Sequence, residues 1–148
     1  MARAGCEELP LQLPEQVVIP EAVLSEVMAG PAGDPARHAL ASGKFPVIET
    51  PFRAEILTWD LGHGETAILS YALSNPGWTA ILDDRAARTC ARGFAIPHKG
   101  TLAVVIMAKQ RGLIDSAANV MRSLQAAGLR LDDGVIRQAL KQTTGEDW

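Results

Sequence analysis

Several features that would mark a secreted, membrane-bound or nucleotide-driven protein are missing from this sequence. There is no long apolar run. The longest, Leu102 to Ala108, gives way at once to Lys109 and Arg111, far short of the roughly 20 residues a bilayer helix needs. No membrane association is therefore expected. Met1 leads through Glu7, Glu8 and Pro10 without an apolar core or a small-residue cleavage site, so no secretory leader is expected and the expected compartment is the cytoplasm. Cysteine is scarce. Cys6 and Cys90 have neither the number nor the spacing of a disulfide framework or a zinc site, and both read as reduced thiols. A basic excess is also lacking: the formal charge is −3, which argues against coating nucleic acid by bulk electrostatics but leaves room for a small acidic metal site. The absence of a glycine-rich phosphate fingerprint or Walker motif speaks against nucleotide-fuelled chemistry. Neither an internal repeat nor a linker interrupts the chain, and Ala29-Gly30-Pro31-Ala32-Gly33-Asp34-Pro35 is short enough to be a surface loop between helices.

What is present is the balance of a folded protein. With 47% hydrophobic and 21% charged residues in 148, the chain is expected to form one domain, 1–148, with a core of its own. Four β-type runs, Val17-Val18-Ile19, Pro46-Val47-Ile48-Glu49, Thr79-Ala80-Ile81-Leu82 and Phe94-Ala95-Ile96, alternate with helical patterns. Helices are expected at Pro20 to Ala29, Pro35 to Ser42, Gly64 to Ser74, Asp84 to Arg92, Thr101 to Arg111, Ser116 to Ala127 and Asp132 to Gln142. Pro20 suits a first helical turn, Asp84 and Thr101 suit N-caps, and Gly43, Gly93, Gly112 and Gly128 stand where helices end. Alternation of this kind predicts an α/β fold with a parallel sheet covered on both faces. The last two helices have no strand between them and read as a helical hairpin on that body.

Ligands of an open parallel sheet bind beyond the carboxyl ends of its strands. Asp83 and Asp84 end one expected strand; His98, Lys99 and Thr101 follow another. Glu65 enters on the first turn of a helix after Leu61-Gly62-His63-Gly64. At 100° per residue it projects between Ile68 and Leu69 beside Ala72, inside the stripe that should face the sheet. A helix N-terminus offers a carboxylate only about 0.3 to 1 kcal/mol, less than the cost of burying a charge alone, so a metal ion or a buried donor is expected beside it. Glu26 lies on the flank of the stripe Val23, Leu24, Val27 and Met28. If Glu26, Glu65, Asp83 and Asp84 converge, their repulsion calls for a cation. Mg²⁺ fits by its preference for hard oxygen ligands and its role in phosphodiester cleavage; Mn²⁺ is the second choice.

Each residue also has a plainer reading. Asp84 could be an N-cap alone, worth about 1 kcal/mol, with Asp83 a turn residue beside it. Glu26 could be a solvated flank residue, and His63 between two glycines has more the character of a turn than of a catalyst. Arg85, Arg88 and Lys99 could contact phosphate or simply be solvated charges. Trp59 and Trp78 fit packing better than base stacking.

Taken in order, these motifs resemble PIN-domain proteins, in particular the branch of small toxins paired with antitoxins. Val18-Ile19-Pro20-Glu21-Ala22-Val23-Leu24-Ser25-Glu26-Val27 looks like that branch's strand and helix with its acidic residue at Glu26. Gly64-Glu65-Thr66-Ala67-Ile68 is similar to its helix start, and Ile81-Leu82-Asp83-Asp84-Arg85-Ala86-Ala87-Arg88 to its strand end with paired aspartates. Gly100-Thr101-Leu102, Ala108-Lys109 and Gly112-Leu113-Ile114 complete the likeness. The resemblance implies a three-layer PIN-like fold and a Mg²⁺-dependent endoribonuclease. Its catalytic residues would be Glu26, Glu65, Asp83 and Asp84, with Glu65, Asp83 and Asp84 holding metal and Arg85, Lys99 and Thr101 contacting RNA. It also implies a cognate antitoxin as partner. Such proteins open with a strand that ends in an aspartate, followed by a helix resembling Leu-Ala-Arg-Ala-Gly, whereas this sequence begins at Met1-Ala2-Arg3-Ala4-Gly5. Relative to the family the chain is therefore expected to lack that first strand and its metal-binding aspartate, either because the true start lies upstream or because the protein is a degenerate member. The alternative to a nuclease is a noncatalytic PIN-like binding module that acts through an antitoxin or by self-association into a homo-oligomer.

Overall fold

The structure is a computed structural model and describes Cys6 and residues 8–148. The likeness of Met1-Ala2-Arg3-Ala4-Gly5 to a family helix falls outside the described residues. Two compact units divide the chain: Gln16–Gly100, and a second that joins the segment up to Glu15 to Thr101–Trp148.

The Gln16–Gly100 unit holds the strands. In chain order it contains β1 (Ile19–Pro20), α2 (Glu21–Ala29), α3 (Pro35–Ala41), β2 (Val47–Ile48), α4 (Ala54–Leu57), α5 (His63–Ser74), β3 (Ala80–Ile81), α6 (Arg85–Gly93) and β4 (His98–Lys99); α1 (Leu9–Gln12) precedes them in the other unit. The α/β class and the parallel pairing agree with the sequence. Among the described residues the strands form two separate parallel ladders, β1 with β2 (Ile19 opposite Val47) and β3 with β4 (Ala80 opposite His98). Long helical connections separate the paired strands, as parallel pairing requires. The central element is α5, which packs against β1 and β3 as well as α2, α4 and α6. Its buried side is built for close approach: Gly64, Ala67, Ser70 and Ala72 are small, and Leu69 reaches into a core with Ile56, Leu82, Cys90 and Ile96. Ser70 Oγ accepts the Arg53 N–H at 3.0 Å, tying the start of α4 to α5.

One expected strand is displaced. Phe94-Ala95-Ile96 is not a strand but the turn that ends α6, and β4 begins at His98. The Ile96 N–H donates to Ala91 O at 2.8 Å and the Ala95 N–H to Arg92 O at 3.1 Å, a Schellman ending in which Ala95 takes the left-handed conformation at φ 54°. An apolar triplet looked like a strand because Ile96 is buried as the anchor of that turn. Pro20, expected inside a helix, closes β1 and stands as the N-cap of α2. The four-residue α4 was not expected, because one turn is too short to show a period.

The second unit is helical: α1, α7 (Thr101–Gln110), α8 (Ala117–Ala126) and α9 (Asp133–Thr143). α7 is apolar on two sides. Val105 joins Ala117, Met121, Leu124, Ile136 and Leu140 from α8 and α9, whereas Val104 and Ala108 pack with Leu9 and Leu13. The helices end as expected at Gly112 and Gly128, with φ of 71° and 108°. Thr101, expected to cap α7, is its first helical residue. Glu146 fastens the end of the chain to the start of α8, where its carboxylate accepts from Ser116 Oγ (2.7 Å) and from the Ala117 and Ala118 N–H groups (both 3.0 Å). No helix among the described residues is long and apolar enough to cross a membrane.

Candidate functional site

The four expected carboxylates all lie in the Gln16–Gly100 unit, as two pairs at the ends of two elements that pack together, α5 and β3. The first pair surrounds the start of α5. Glu26, near the end of α2, directs Oε1 to the Gly64 N–H at 3.0 Å. Gly62 is the N-cap of α5 and has no side chain to offer, so a carboxylate from 38 residues away satisfies one of the helix's first amides. That position also places an anion at the positive end of the helix dipole.

Glu65 comes to the same place from the other side. It is half-buried and folds back over Gly62, where its Oε2 would overlap any Cβ and Glu26 Oε1 would lie 3.9 Å away. At Gly64 a Cβ would meet Glu26 Oε2 at 2.7 Å and Val23 at 3.4 Å. Gly62 and Gly64 thus form a notch that any larger residue would fill. Helical geometry placed Glu65 in the apolar stripe; the structure turns its carboxylate out of the stripe and over the glycine, which removes the need for a buried donor. Glu65 makes no hydrogen bond among the described residues, so both of its oxygens are available to other groups.

Asp83 and Asp84 follow β3, both exposed. Asp84 does act as the N-cap of α6, accepting the Ala87 N–H on Oδ2 at 2.8 Å, which leaves Oδ1 outside that bond. Asp83 Oδ1 stands 3.1 Å, and Arg88 Nη1 3.2 Å, from the point a Cβ on Gly100 would occupy. The buried Gly100 is the gap into which both charged groups fit. Arg85 and Lys99 are exposed, on the first turn of α6 and on β4, whereas Thr101 belongs to the other unit. His63, expected as a turn residue, is the first residue of α5, and its ring tilts against Phe52 with centroids 5.9 Å apart. Among the described residues, no three His, Cys, Asp or Glu side chains gather as a metal cage.

Sequence reasoning passed over Gly62, Gly64 and Gly100 as site-shaping residues, and read Arg88 only as a phosphate contact or a solvated charge. The Gly-x-Gly spacing was the available signal, and it read as a turn because nothing local shows that Glu26 arrives there.

Nothing among curated proteins and nothing among solved structures matches the chain. A family model described as PIN domain matches residues 1–145, nearly the whole length. With its α/β fold, short parallel ladders and acidic residues at the ends of α5 and β3, the chain belongs to the PIN domain family.

Proposed function

We propose that this protein is a metal-dependent endoribonuclease of the PIN type, the toxin of a toxin–antitoxin pair, and that both units together form its single domain. One observation carries the reading: the carboxylates of Glu26 and Glu65, from separate helices, meet at a notch kept open by Gly62 and Gly64. The donor set suits Mg²⁺, or Mn²⁺, in kind. Carboxylate oxygens are hard ligands, and Mg²⁺ is commonly held by only one or two of them with waters and substrate phosphates completing its shell, so a pair is enough. Glu65, with Glu26 beside it at the notch, would hold the ion, since Glu65, Asp83 and Asp84 do not gather as a three-residue cage among the described residues. When bound, the cation lowers the pKa of a coordinated water and offsets charge on the leaving oxygen.

The chain's own groups do the rest. Glu65, with no hydrogen bond among the described residues, can accept a proton from water or orient it. Glu26 is held by the Gly64 N–H and keeps its second oxygen beside the notch. Arg85 and Lys99 are exposed cations for the RNA backbone.

The test is incubation of the purified protein with a fluorescent single-stranded RNA and Mg²⁺ or Mn²⁺, alongside EDTA and a Glu65→Ala variant checked for folding by circular dichroism. Cleavage is expected to stop with EDTA and to fall about 10²-fold or more in the variant. Cleavage that survives both sinks the assignment. The lack of a three-residue acidic cage among the described residues favours a second reading, a noncatalytic module that works by binding an antitoxin or by self-association. In that case the wild type cleaves nothing with either metal.

A further inference from the structure

We propose that the rings of Phe52 and His63 form a stacking platform that takes one base of a single-stranded RNA beside the Glu26 and Glu65 carboxylates. The inference rests on the nuclease reading and deepens it by naming the form of substrate that the notch receives. It starts from a short stretch of backbone. His63 stands between Gly62 and Gly64, the two glycines over which Glu65 and Glu26 place their carboxylates. The His63 ring and the acidic pair therefore meet at the same three residues, at the start of α5. Phe52 comes from the segment between β2 and α4. Its ring lies 5.9 Å from that of His63 at an angle of 52°, within the range of paired aromatic rings.

A lone exposed phenylalanine would mean little. Here both members of the pair are turned to solvent: Phe52 is 37% exposed and His63 is exposed as well, so the rings do not close a core. Both are also held in place. The Arg53 N–H donates to Ser70 Oγ at 3.0 Å and the Arg53 guanidinium to Ser74 Oγ at 3.1 Å, which fixes the backbone next to Phe52 against α5. The Gly64 N–H, on Glu26 Oε1 at 3.0 Å, fixes the helix start next to His63. Rings positioned before the ligand arrives lose less freedom on binding. An aromatic surface of this kind accepts any base, because every base has a π-face, but only where that face is free. Bases in a duplex are already stacked on one another, so the platform selects unpaired strands. Trp59 supplies a control: it is 39% exposed, but its ring lies over Gly93 at the end of α6.

Fluorescence anisotropy on the full chain tests the platform, with a 5′-labelled single-stranded RNA heptamer of mixed sequence in EDTA at low salt, where cleavage plays no part. Phe52→Leu keeps the apolar bulk and removes the ring. It is expected to weaken binding about tenfold, the order of one stacked base, whereas Phe52→Tyr and Trp59→Leu bind as the wild type does. A heptamer of abasic riboses is expected to bind the wild type about tenfold more weakly than the intact strand and to be indifferent to Phe52→Leu. Circular dichroism checks the folding of each variant, and His63→Ala gives the same readout if Phe52→Leu does not fold. Three results overturn the proposal: a folded Phe52→Leu that binds the intact strand as the wild type does, an equal loss for intact and abasic strands, or a wild type that binds no RNA. Cleavage with Mg²⁺ is read separately. Base-dependent binding through Phe52 in a protein that cuts nothing keeps the platform and removes the nuclease, whereas cleavage without such binding keeps the nuclease and removes the platform.

Discussion

Two glutamates in this chain do similar work at helix starts, and they differ in what else they can do. Glu146 accepts three bonds at the start of α8, with Lys109 at 3.9 Å. Burial alone would raise its pKa, but the bonds from Ala118, Ser116 and Ala117 and the nearby lysine outweigh it and hold the carboxyl below its usual value. Its stabilising effect is therefore complete above the unfolded-state value of about 4.3 and is lost as pH falls through the lower folded value. Glu146→Ala should cost about 1–3 kcal/mol at pH 7, and the gap in urea midpoint between variant and wild type should shrink at pH 3. An equal gap at both pH values would show that the charge is idle. At the start of α5 the backbone of Gly62 (φ −58°, ψ 159°) suits any residue, so only the space over it is at stake. In Gly62→Ala the new Cβ displaces the flexible end of Glu65. RNA cleavage should fall about 10²-fold while stability changes by less than about 1 kcal/mol. Unchanged cleavage would remove Glu65 from the site.

At the scale of elements, the same ending rule gave different results in different helices. Gly112 and Gly128 carry the left-handed turn after α7 and α8, while after α6 the same turn falls on Ala95 at φ 54°. An L-residue pays about 1–2 kcal/mol there, partly offset by the greater freedom of glycine in the unfolded chain. Ala95→Gly should thus stabilise the protein by about 0.5–1 kcal/mol, read as a higher thermal midpoint; a lower one would mean that the alanine methyl packs against something the turn needs. The turn also explains why β4 starts two residues after Ile96. A glycine at 93 and an apolar triplet after it were legible, but the triplet's role depended on Ile96 being drawn into the core beneath α6.

Across the whole molecule, the buried apolar side chains of the described residues gather in one cluster in the Gln16–Gly100 unit and in two in the helical unit. The thiols can report on them independently. Cys90 is fully buried in the Gln16–Gly100 unit, and burial pushes its thiol pKa up; Cys6 is half-buried against the Leu9 cluster. With an aromatic disulfide reagent at pH 8, Cys6 should be modified first, and Cys90 only at the rate at which its unit opens. Equal rates in native buffer, read by peptide mass mapping, would contradict the packing around α6.

Local rules were enough for most of the helices, the caps at Asp84, Gly112 and Gly128, and the parallel α/β class, because each of these is decided within a turn or two of the chain by hydrogen bonding and apolar periodicity. The acidic residues could also be picked out one by one. Their grouping could not: Glu26 reaches Gly64 across 38 residues, and Glu65 turns over Gly62 instead of into the stripe that helical angles assigned it. Only tertiary packing decides such meetings, since they depend on how α2 and α5 settle against one another and on which backbone amides that leaves without a partner.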